Sequence, residues 1–281
     1  MLLEDEFCDI IKKARFGQGL SLELVAQQAG LSAHDLQSLE RGQRLPTSED
    51  VYALGEILGL RPGPLLDIAR QNWAPPSPPA WVHQYVITIL GDIGGYAVKG
   101  YLLFDYAARE ALMIDTAYNP EQMGRMLREH NLRLIAICLT HGHADHAGGL
   151  DRIVKDWSVP VYLGAADRHL LPWQPPQEQL VDLQDRQTLS TGSLSVHCLA
   201  TPGHTPGGFC YWVAHHEHHL CFVGDTVFAG SVGRSNPLSL YPTHLASLKN
   251  IVLRLPNTTI LLPGHGPAST VEEERKHNPF A

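Results

Sequence analysis

The sequence concentrates metal-binding side chains in one short segment, His141-Gly142-His143-Ala144-Asp145-His146. The apolar residues 135–139 precede this segment and predict a buried strand, and the residues after it predict a helix. Imidazole and carboxylate groups this crowded cannot all be satisfied in a core, whereas they are good ligands for zinc and similar divalent ions. The segment therefore predicts a metal site between a strand and a helix. The alternative is a polar loop in which the histidines cluster by chance.

Three more residues of ligand type follow later predicted strands. His204, Asp225 and His265 each lie alone among glycines and prolines. Any one of them would be an ordinary loop residue, but all three occur downstream of the first segment, and two-metal sites share ligands in this way. The predicted metal ligands are His141, His143, Asp145, His146, His204, Asp225 and His265.

Residues 82–281 resemble the metallo-β-lactamase superfamily, whose signature is H-x-H-x-D-H with a later His, Asp and His. The resemblance implies an αβ/βα sandwich with the metals at one end of its two sheets. It places the first metal on His141, His143 and His204. It places the second metal on Asp145, His146 and His265, with Asp225 bridging both. Asp115 matches a family aspartate that is structural rather than ligating.

A closer resemblance within the superfamily is to glyoxalase-II-type hydrolases of the small bacterial kind. It is carried by the segments 224–228, 233–235 and 263–267 and by the C-terminal residues 274–280. It implies two divalent ions, with zinc expected and manganese or iron as alternatives, and a hydroxyacylglutathione-hydrolase-like activity. The hypothesis is that a metal-bridged hydroxide attacks a thioester or ester carbonyl while Asp145 orients the nucleophile or carries a proton. Arg234 and Tyr241 are the candidate substrate contacts.

Two other functions compete with the hydrolase. One is a mononuclear iron dioxygenase of glutathione persulfide, for which the resemblance would place iron on His141, His204 and Asp225. The sequences at 263–267 and 278–280 favour the hydrolase. The other is a DNA-binding regulator in which the metal domain senses a metabolite.

The Pro-rich segment 73–80 predicts a linker between an all-α domain, 1–72, and a second domain, 81–281. Ser21, Ser32 and Ser48 are predicted to cap short helices, and Pro62 and Pro64 flank the entry to a last one. This part resembles Xre-type helix-turn-helix domains through Leu24–Ser32, Leu36, Leu39–Gly42 and Pro46. The resemblance implies DNA contacts through residues 21–46 of a homodimer, with the helix from 32 to 39 in the major groove. The candidate DNA contacts are His34, Gln37, Ser38 and Arg41.

Charge does not favour DNA binding. Residues 1–72 contain seven Lys and Arg against eleven Asp and Glu, and the whole chain has a formal net charge of −8. The helix-turn-helix shape is therefore equally consistent with a role in dimerisation or docking. The acidic chain also argues against a nucleic-acid substrate.

Residues 81–281 predict a mixed α/β domain in which strands outnumber helices. Apolar runs typical of strands lie at 85–90, 101–105, 111–115, 134–139, 159–163, 194–199, 209–213, 220–223 and 259–262. Helical patterns lie at 120–130, 146–157 and 243–255. The histidine-rich residues 215–219 are predicted to form a solvated hairpin tip.

Cysteine usage and the N-terminus predict the compartment. The five cysteines are scattered, and none form a C-x-x-C pair, which argues against both a disulfide framework and a thiolate zinc site. No apolar run approaches the roughly 20 residues of a membrane helix, and the acidic N-terminus does not resemble a secretory signal. These features predict a cytoplasmic protein without membrane contact.

Overall fold

The computed structural model describes residues 3–281. Its N-terminal part consists of five short helices: α1 (Phe7–Gly17), α2 (Leu22–Gln28), α3 (Ala33–Glu40), α4 (Ser48–Ile57) and α5 (Pro62–Ala69). Ser21 and Ser32 cap α2 and α3 as predicted, since each side chain accepts a hydrogen bond from the amide three residues later. The predicted cap at Ser48 is wrong. Thr47 caps α4 instead, because it forms a reciprocal pair of hydrogen bonds with Asp50.

The rest of the chain contains two six-stranded sheets. The first sheet has the strands in sequence order: β1 (Val86–Ile93), β2 (Tyr96–Asp105), β3 (Glu110–Ile114), β4 (Arg133–Cys138), β5 (Val161–Leu163) and β6 (Leu180–Asp182). The second sheet has the reverse order: β12 (Ser269–Thr270), β11 (Ile260–Pro263), β10 (His218–Gly224), β9 (Phe209–His215), β8 (Leu194–Ala200) and β7 (Thr188–Thr191). The helices of this part are α6 (Pro120–Glu129), α7 (Ala144–Ala147), α8 (Leu150–Asp156), α9 (Tyr241–Asn250) and α10 (Val271–His277).

Several predicted boundaries are corrected by the structure. The predicted helix 146–157 is broken into α7 and α8, because Gly149 adopts a left-handed φ of 78° and packs against Pro120. The predicted helix 243–255 begins earlier, at Tyr241, and its last residues form a separate 3-10 turn. Strands β6, β7 and β12 were not predicted, because strands of only two to four residues are too short to show an apolar pattern.

Apolar side chains explain the layer order. Leu103, Leu112, Val196 and Phe222 belong to the buried cluster between the two sheets. Helices α6 and α8 bury their apolar faces on the outer side of the first sheet, and α9 and α10 do so on the second sheet. The result is the predicted αβ/βα sandwich. Within the described chain, no helix has both the length and the apolar character that crossing a bilayer requires.

The N-terminal helices extend the helical layer over the second sheet. Ile10 and Leu65 share one buried cluster with Leu248 and Leu261. The main-chain amide of Arg61 donates to the carbonyl of Pro279 at 2.8 Å. Residues 72–79, where the linker is predicted, contain no helix or strand, yet the core is continuous across the two parts.

Glu274 of α10 is buried at this junction. Its Oε2 accepts hydrogen bonds from the amide of Gly230 and from Asn278 Nδ2, at 3.0 and 2.8 Å. Burial raises the pKa of this carboxyl group to about 7.

The raised pKa predicts a loss of stability as the pH increases. An unfolded glutamate ionises near its ordinary pKa, whereas the folded one holds its proton to about pH 7. The folded protein therefore loses stability between those two values and regains none above them. We expect Glu274→Gln to be more stable than the wild type at pH 8 by about 2–3 kcal/mol, and nearly equal to it at pH 5. Urea unfolding at both pH values measures this difference.

Glu272→Gln is the matched control, because Glu272 is exposed on the same helix. We expect its stability to differ little from the wild type at either pH. Parallel pH profiles for Glu274→Gln and the wild type would contradict the prediction.

Candidate metal centre

Four loops meet at one end of the sandwich, each following a strand. Residues 141–146 follow β4, and His204 follows β8. Asp225 comes directly after β10, and His265 comes shortly after β11. Because these loops converge, the structure brings all seven predicted ligands together, in three groups whose ligand atoms lie within 4.8 Å of one another. These groups are His141 with His143 and His204, His141 with Asp145 and His146, and His146 with Asp225 and His265.

His141, His143 and His204 face one another as a trio. The ring of His141 lies 4.7 Å, between centroids, from each of the other two rings. His204 Nε2 lies 3.0 Å from His143 Nδ1. Two ring nitrogens at this distance can share one proton, or both can ligate one cation.

The second trio contains a carboxylate between two imidazoles. Asp225 Oδ1 lies 3.2 Å from His146 Nε2, and Asp225 Oδ2 lies 3.6 Å from His265 Nε2. Asp225 Oδ2 is also 3.5 Å from His204 Nε2, so this carboxylate connects the second trio to the first. Asp145 Oδ2 adds a further oxygen 3.2 Å from His265 Nε2.

Hydrogen bonds behind the rings determine which nitrogen faces the centre. His204 Nδ1 donates to the carbonyl of Arg234 at 2.7 Å, and His265 Nδ1 donates to the carbonyl of Ala97 at 2.6 Å. Asp115 accepts from His146 Nδ1 at 2.8 Å. Because Nδ1 carries the proton in each ring, the Nε2 lone pair points inward, as is typical of metal-binding histidines.

Asp115 and Thr140 support a further ring from behind. Asp115 Oδ1 accepts from the amide of Thr140, and Asp115 Oδ2 accepts from its hydroxyl, both at 2.7 Å. The hydroxyl oxygen of Thr140 lies 3.0 Å from His141 Nδ1 and can accept its proton. The family-implied structural role of Asp115 agrees with these contacts.

Three buried atoms at the centre lack a hydrogen-bond partner among residues 3–281: His141 Nε2, His146 Nε2 and Asp225 Oδ1. A buried polar atom left without a partner costs about 1–3 kcal/mol. All three atoms are inward-facing atoms of predicted ligands. A divalent cation among them would satisfy each one, so the donor set fits the metals that the sequence implies.

The electrostatics of the centre also favour a cation. Burial lowers the pKa of His141 well below its ordinary value and lowers that of His204 to about 3, so both rings are neutral and able to ligate. Burial also acts to lower the pKa of His146, but the carboxylates of Asp225 and Asp115 outweigh it and raise that pKa well above its usual range. The two carboxylates therefore favour positive charge beside His146, which a proton or a metal ion can provide.

Glycine is required at two positions beside the candidate ligands. A Cβ at Gly264 would overlap the ring of His146 and lie 2.5 Å from Asp225 Oδ1. A Cβ at Gly233 would lie 3.0 Å from His204 Nδ1. Gly264, which directly precedes His265, and Gly233 thus allow the ligand loops to approach one another.

A family model described as the metallo-beta-lactamase superfamily matches residues 94–265, which is more than half of the chain. This chain belongs to the metallo-beta-lactamase superfamily. A helix-turn-helix domain model matches residues 11–67, so the N-terminal helices form a domain of that kind.

Relatives of the superfamily domain include named hydrolases. "Probable metallo-hydrolase YqgX" of Bacillus subtilis is 31% identical over 61% of this chain and 87% of its own. "Hydroxyacylglutathione hydrolase GloC" of Haemophilus influenzae is 29% identical over the same shares. The crystal structure of TTHA1623 in a di-iron-bound form is 28% identical, with a TM-score of 0.60, and covers 69% of this chain and 100% of its own.

Asp167 is a positioning residue that the sequence did not reveal. Its fully buried carboxylate accepts from the amides of Gly142 and Gly207, at 3.2 and 2.7 Å, and from the hydroxyl of Thr205 at 2.6 Å. It therefore joins the loop of His141 to the loop of His204. An isolated aspartate in a 3-10 turn has no motif, so no local signal could have identified it.

The two predicted substrate contacts differ in exposure. Arg234 is exposed and, together with His143 and His204, lines a cavity of about 320 Å³ that opens beside the first trio. Tyr241 is only 6% exposed, and its ring packs against Gly17 of α1. Direct substrate contact stays a prediction for both residues.

The candidate DNA contacts and the histidine-rich segment are exposed or half-buried. On α3 and just after it, His34 and Arg41 are exposed, and Gln37 and Ser38 are half-buried. The predicted solvated hairpin tip at 215–219 is correct only for residues 216 and 217, which form the exposed turn between β9 and β10. His215, His218 and His219 belong to the strands and are half-buried, and the ring of His218 stacks on Trp81 at 4.1 Å.

Proposed function

We propose that this protein is a divalent-metal-dependent hydrolase that cleaves a thioester or ester. The observation that carries the proposal is the set of buried, unpartnered ligand atoms beside an open cavity. The names of YqgX and GloC support the hydrolase class, and that of GloC supports a thioester as substrate.

In this proposal His141, His143 and His204 hold one ion, and Asp145, His146 and His265 hold the other. Asp225 is shared, since its oxygens lie 3.2 Å from His146 Nε2 and 3.5 Å from His204 Nε2. When bound, the ions lower the pKa of water toward neutrality and polarise a carbonyl oxygen. The di-iron form of TTHA1623 supports a centre for two ions, with zinc expected here and manganese or iron as alternatives.

Asp145 is the residue to which we assign proton transfer. Its side chain is 23% exposed, more than that of Asp225, and it borders the centre through His265. Burial acts against ionisation. When His265 and His146 are doubly protonated, the hydrogen bond from His265 and the charge of His146 lower the pKa of Asp145 below its ordinary value, and a bound cation would supply that positive charge in their place. An ionised carboxylate in this position orients the attacking water and accepts a proton from it.

The buried cysteines Cys138 and Cys198 are poor candidates for a catalytic nucleophile. Burial raises the pKa of Cys138 well above its ordinary value and that of Cys198 to about 12. Their thiols are therefore protonated near neutral pH and weak as nucleophiles.

The test is the metal content of tag-free protein, paired with turnover of S-lactoylglutathione before and after treatment with a chelator. We expect about two zinc, manganese or iron ions per chain, and hydrolysis that a chelator abolishes and added metal restores. About one iron per chain, with oxygen uptake on glutathione persulfide and no hydrolysis, would establish the dioxygenase instead.

DNA binding through α3 is the second candidate function. The buried face of α3, which contains Leu36, Leu39 and Glu40, packs in the helical core, whereas its opposite face is exposed around His34. A free outer face is what insertion into a major groove requires. His34, Gln37, Ser38 and Arg41 are the residues assigned to this contact.

Selection from a random duplex library at low salt tests this candidate. We expect a palindromic sequence bound by a dimer, with an affinity that falls as salt is raised. His34→Ala combined with Gln37→Ala should then weaken binding to the selected duplex. Retention of no duplex at low salt would rule the candidate out.

A further inference from the structure

Helix α1 of the helix-turn-helix domain forms one wall of a second cavity. This cavity, of about 190 Å³, lies between α1 and the loop that runs from Gly233 to Tyr241. It shares Arg234, Ser235 and Leu238 with the cavity that His143 and His204 line. The two cavities are therefore neighbours along Arg234, and together they lead from the metal centre to α1.

The cavity is lined by more basic than acidic side chains: Lys12, Lys13 and Arg234 against Asp9. Lys13 is already satisfied, since its Nζ lies 2.5 Å from Asp5 Oδ2 and 2.9 Å from the carbonyl of Val232. Asp9 is directed to its own helix start, where Oδ2 accepts from the amide of Glu6 at 3.1 Å.

Lys12 and Arg234 are different. Both are exposed, and within residues 3–281 neither side chain forms a hydrogen bond or an ion pair. Two unpartnered cations that line one small cavity leave it positively charged, which attracts an anion.

The position of α1 beside this cavity is well defined. Asp5 accepts a hydrogen bond from the hydroxyl of Ser231 at 2.5 Å, and Lys13 Nζ donates to the carbonyl of Val232. A Cβ at Gly17 would overlap the ring of Tyr241, so only glycine allows this close approach of α1 to α9. On the other side, the carbonyl of Arg234 accepts from His204. These contacts fix the position of the α1 backbone, from which Lys12 extends, relative to the loop of Arg234 and His204.

We propose that Lys12 and Arg234 bind an anionic group, a carboxylate or a phosphate, on the part of the substrate that leaves as the thiol or alcohol. This inference rests on the proposed hydrolase function and assigns a substrate class to it. It also gives α1 a specificity role in the catalytic cleft. Lys12 acts here by binding the distant end of the substrate and takes no part in the chemistry.

The test compares two thioesters with the same acyl group, S-lactoylglutathione and the lactoyl thioester of neutral N-acetylcysteamine. For Lys12→Met, we expect the ratio of kcat/KM for the anionic over the neutral substrate to fall about fivefold to tenfold, mostly through KM. Lys12→Arg should restore the ratio. The control is Lys249→Met, because Lys249 is exposed on α9 and lines neither cavity. A wild-type ratio in Lys12→Met, or the same decrease in Lys249→Met, would overturn the inference.

A binding measurement separates this inference from the proposed function. If the wild type hydrolyses neither thioester, the hydrolase proposal fails for this substrate class, and calorimetry with non-hydrolysable probes still tests the cation site. The probes are S-methylglutathione, which presents carboxylates, and S-methyl-4′-phosphopantetheine, which presents a phosphate. Binding of either probe that weakens several-fold in Lys12→Met supports the site and identifies the anion. Binding of neither probe, or equal binding by wild type and Lys12→Met, would contradict it.

Discussion

Asp225→Asn is expected to lose bound metal and hydrolytic activity together. Asp225 lies between the two sets of histidines, with oxygens 3.2 Å from His146 Nε2 and 3.5 Å from His204 Nε2. The amide keeps the shape but removes the negative charge, and it can place a donor where the ligand lone pair was. Loss of a residue that merely supports a ligand costs about 10–100-fold, so loss of the shared ligand should reduce turnover by more than about 100-fold.

Elemental analysis and kcat/KM for S-lactoylglutathione measure the two effects on the same preparation. Asp151→Asn is the matched control, because Asp151 is exposed on α8. It should retain both metal and turnover, and near-ultraviolet circular dichroism checks that each variant is folded. An Asp225→Asn variant with the wild-type metal content and turnover would refute the proposed centre.

Asp167→Ala is expected to destabilise the fold and to weaken the centre without removing any ligand. The substitution leaves the amides of Gly142 and Gly207 and the hydroxyl of Thr205 without their carboxylate partner in a fully buried site. At about 1–3 kcal/mol for each unsatisfied group, the loss should reach about 3 kcal/mol or more. Because the loops of His141 and His204 are no longer joined, metal affinity should fall by about 10–100-fold.

Urea unfolding of the chelator-treated protein and competition for metal with a coloured chelator measure the two losses separately. Asp182→Ala is the control, because Asp182 forms a partly exposed ion pair with Arg168, and such pairs contribute about 0–1 kcal/mol. Destabilisation by Asp167→Ala with unchanged metal affinity would show that Asp167 supports the fold alone.

In the helix-turn-helix domain, local sequence patterns predicted some helix starts but not all of them. Ser21 and Ser32 predicted two helix starts correctly, since a cap needs only a side-chain oxygen and an amide three residues later. The cap at Ser48 was assigned one residue late, because Thr47 and Ser48 are both good caps and only the hydrogen bonds with Asp50 distinguish them.

The candidate metal centre was predictable because its ligand types are crowded into one segment and recur behind apolar strands. The run from His141 to His146 and the isolated His204, Asp225 and His265 all follow strands whose ends meet at one edge of the sandwich. Glycines beside these residues were equally informative, since Gly264 permits the contact between His146 and Asp225. This part of the site depends on residue identity, which the sequence states directly.

Residue types and short-range spacing were sufficient for the fold class, the helix-turn-helix domain and the candidate ligands. Only the tertiary structure showed how the ligands are oriented, because that depends on main-chain carbonyls such as that of Ala97, which lies 168 positions from His265 and has no residue-type signal. The same is true of Asp167 and of the packing of α1 beside Arg234. These contacts join segments far apart in the chain, and their existence depends on the order of strands and layers rather than on any local pattern.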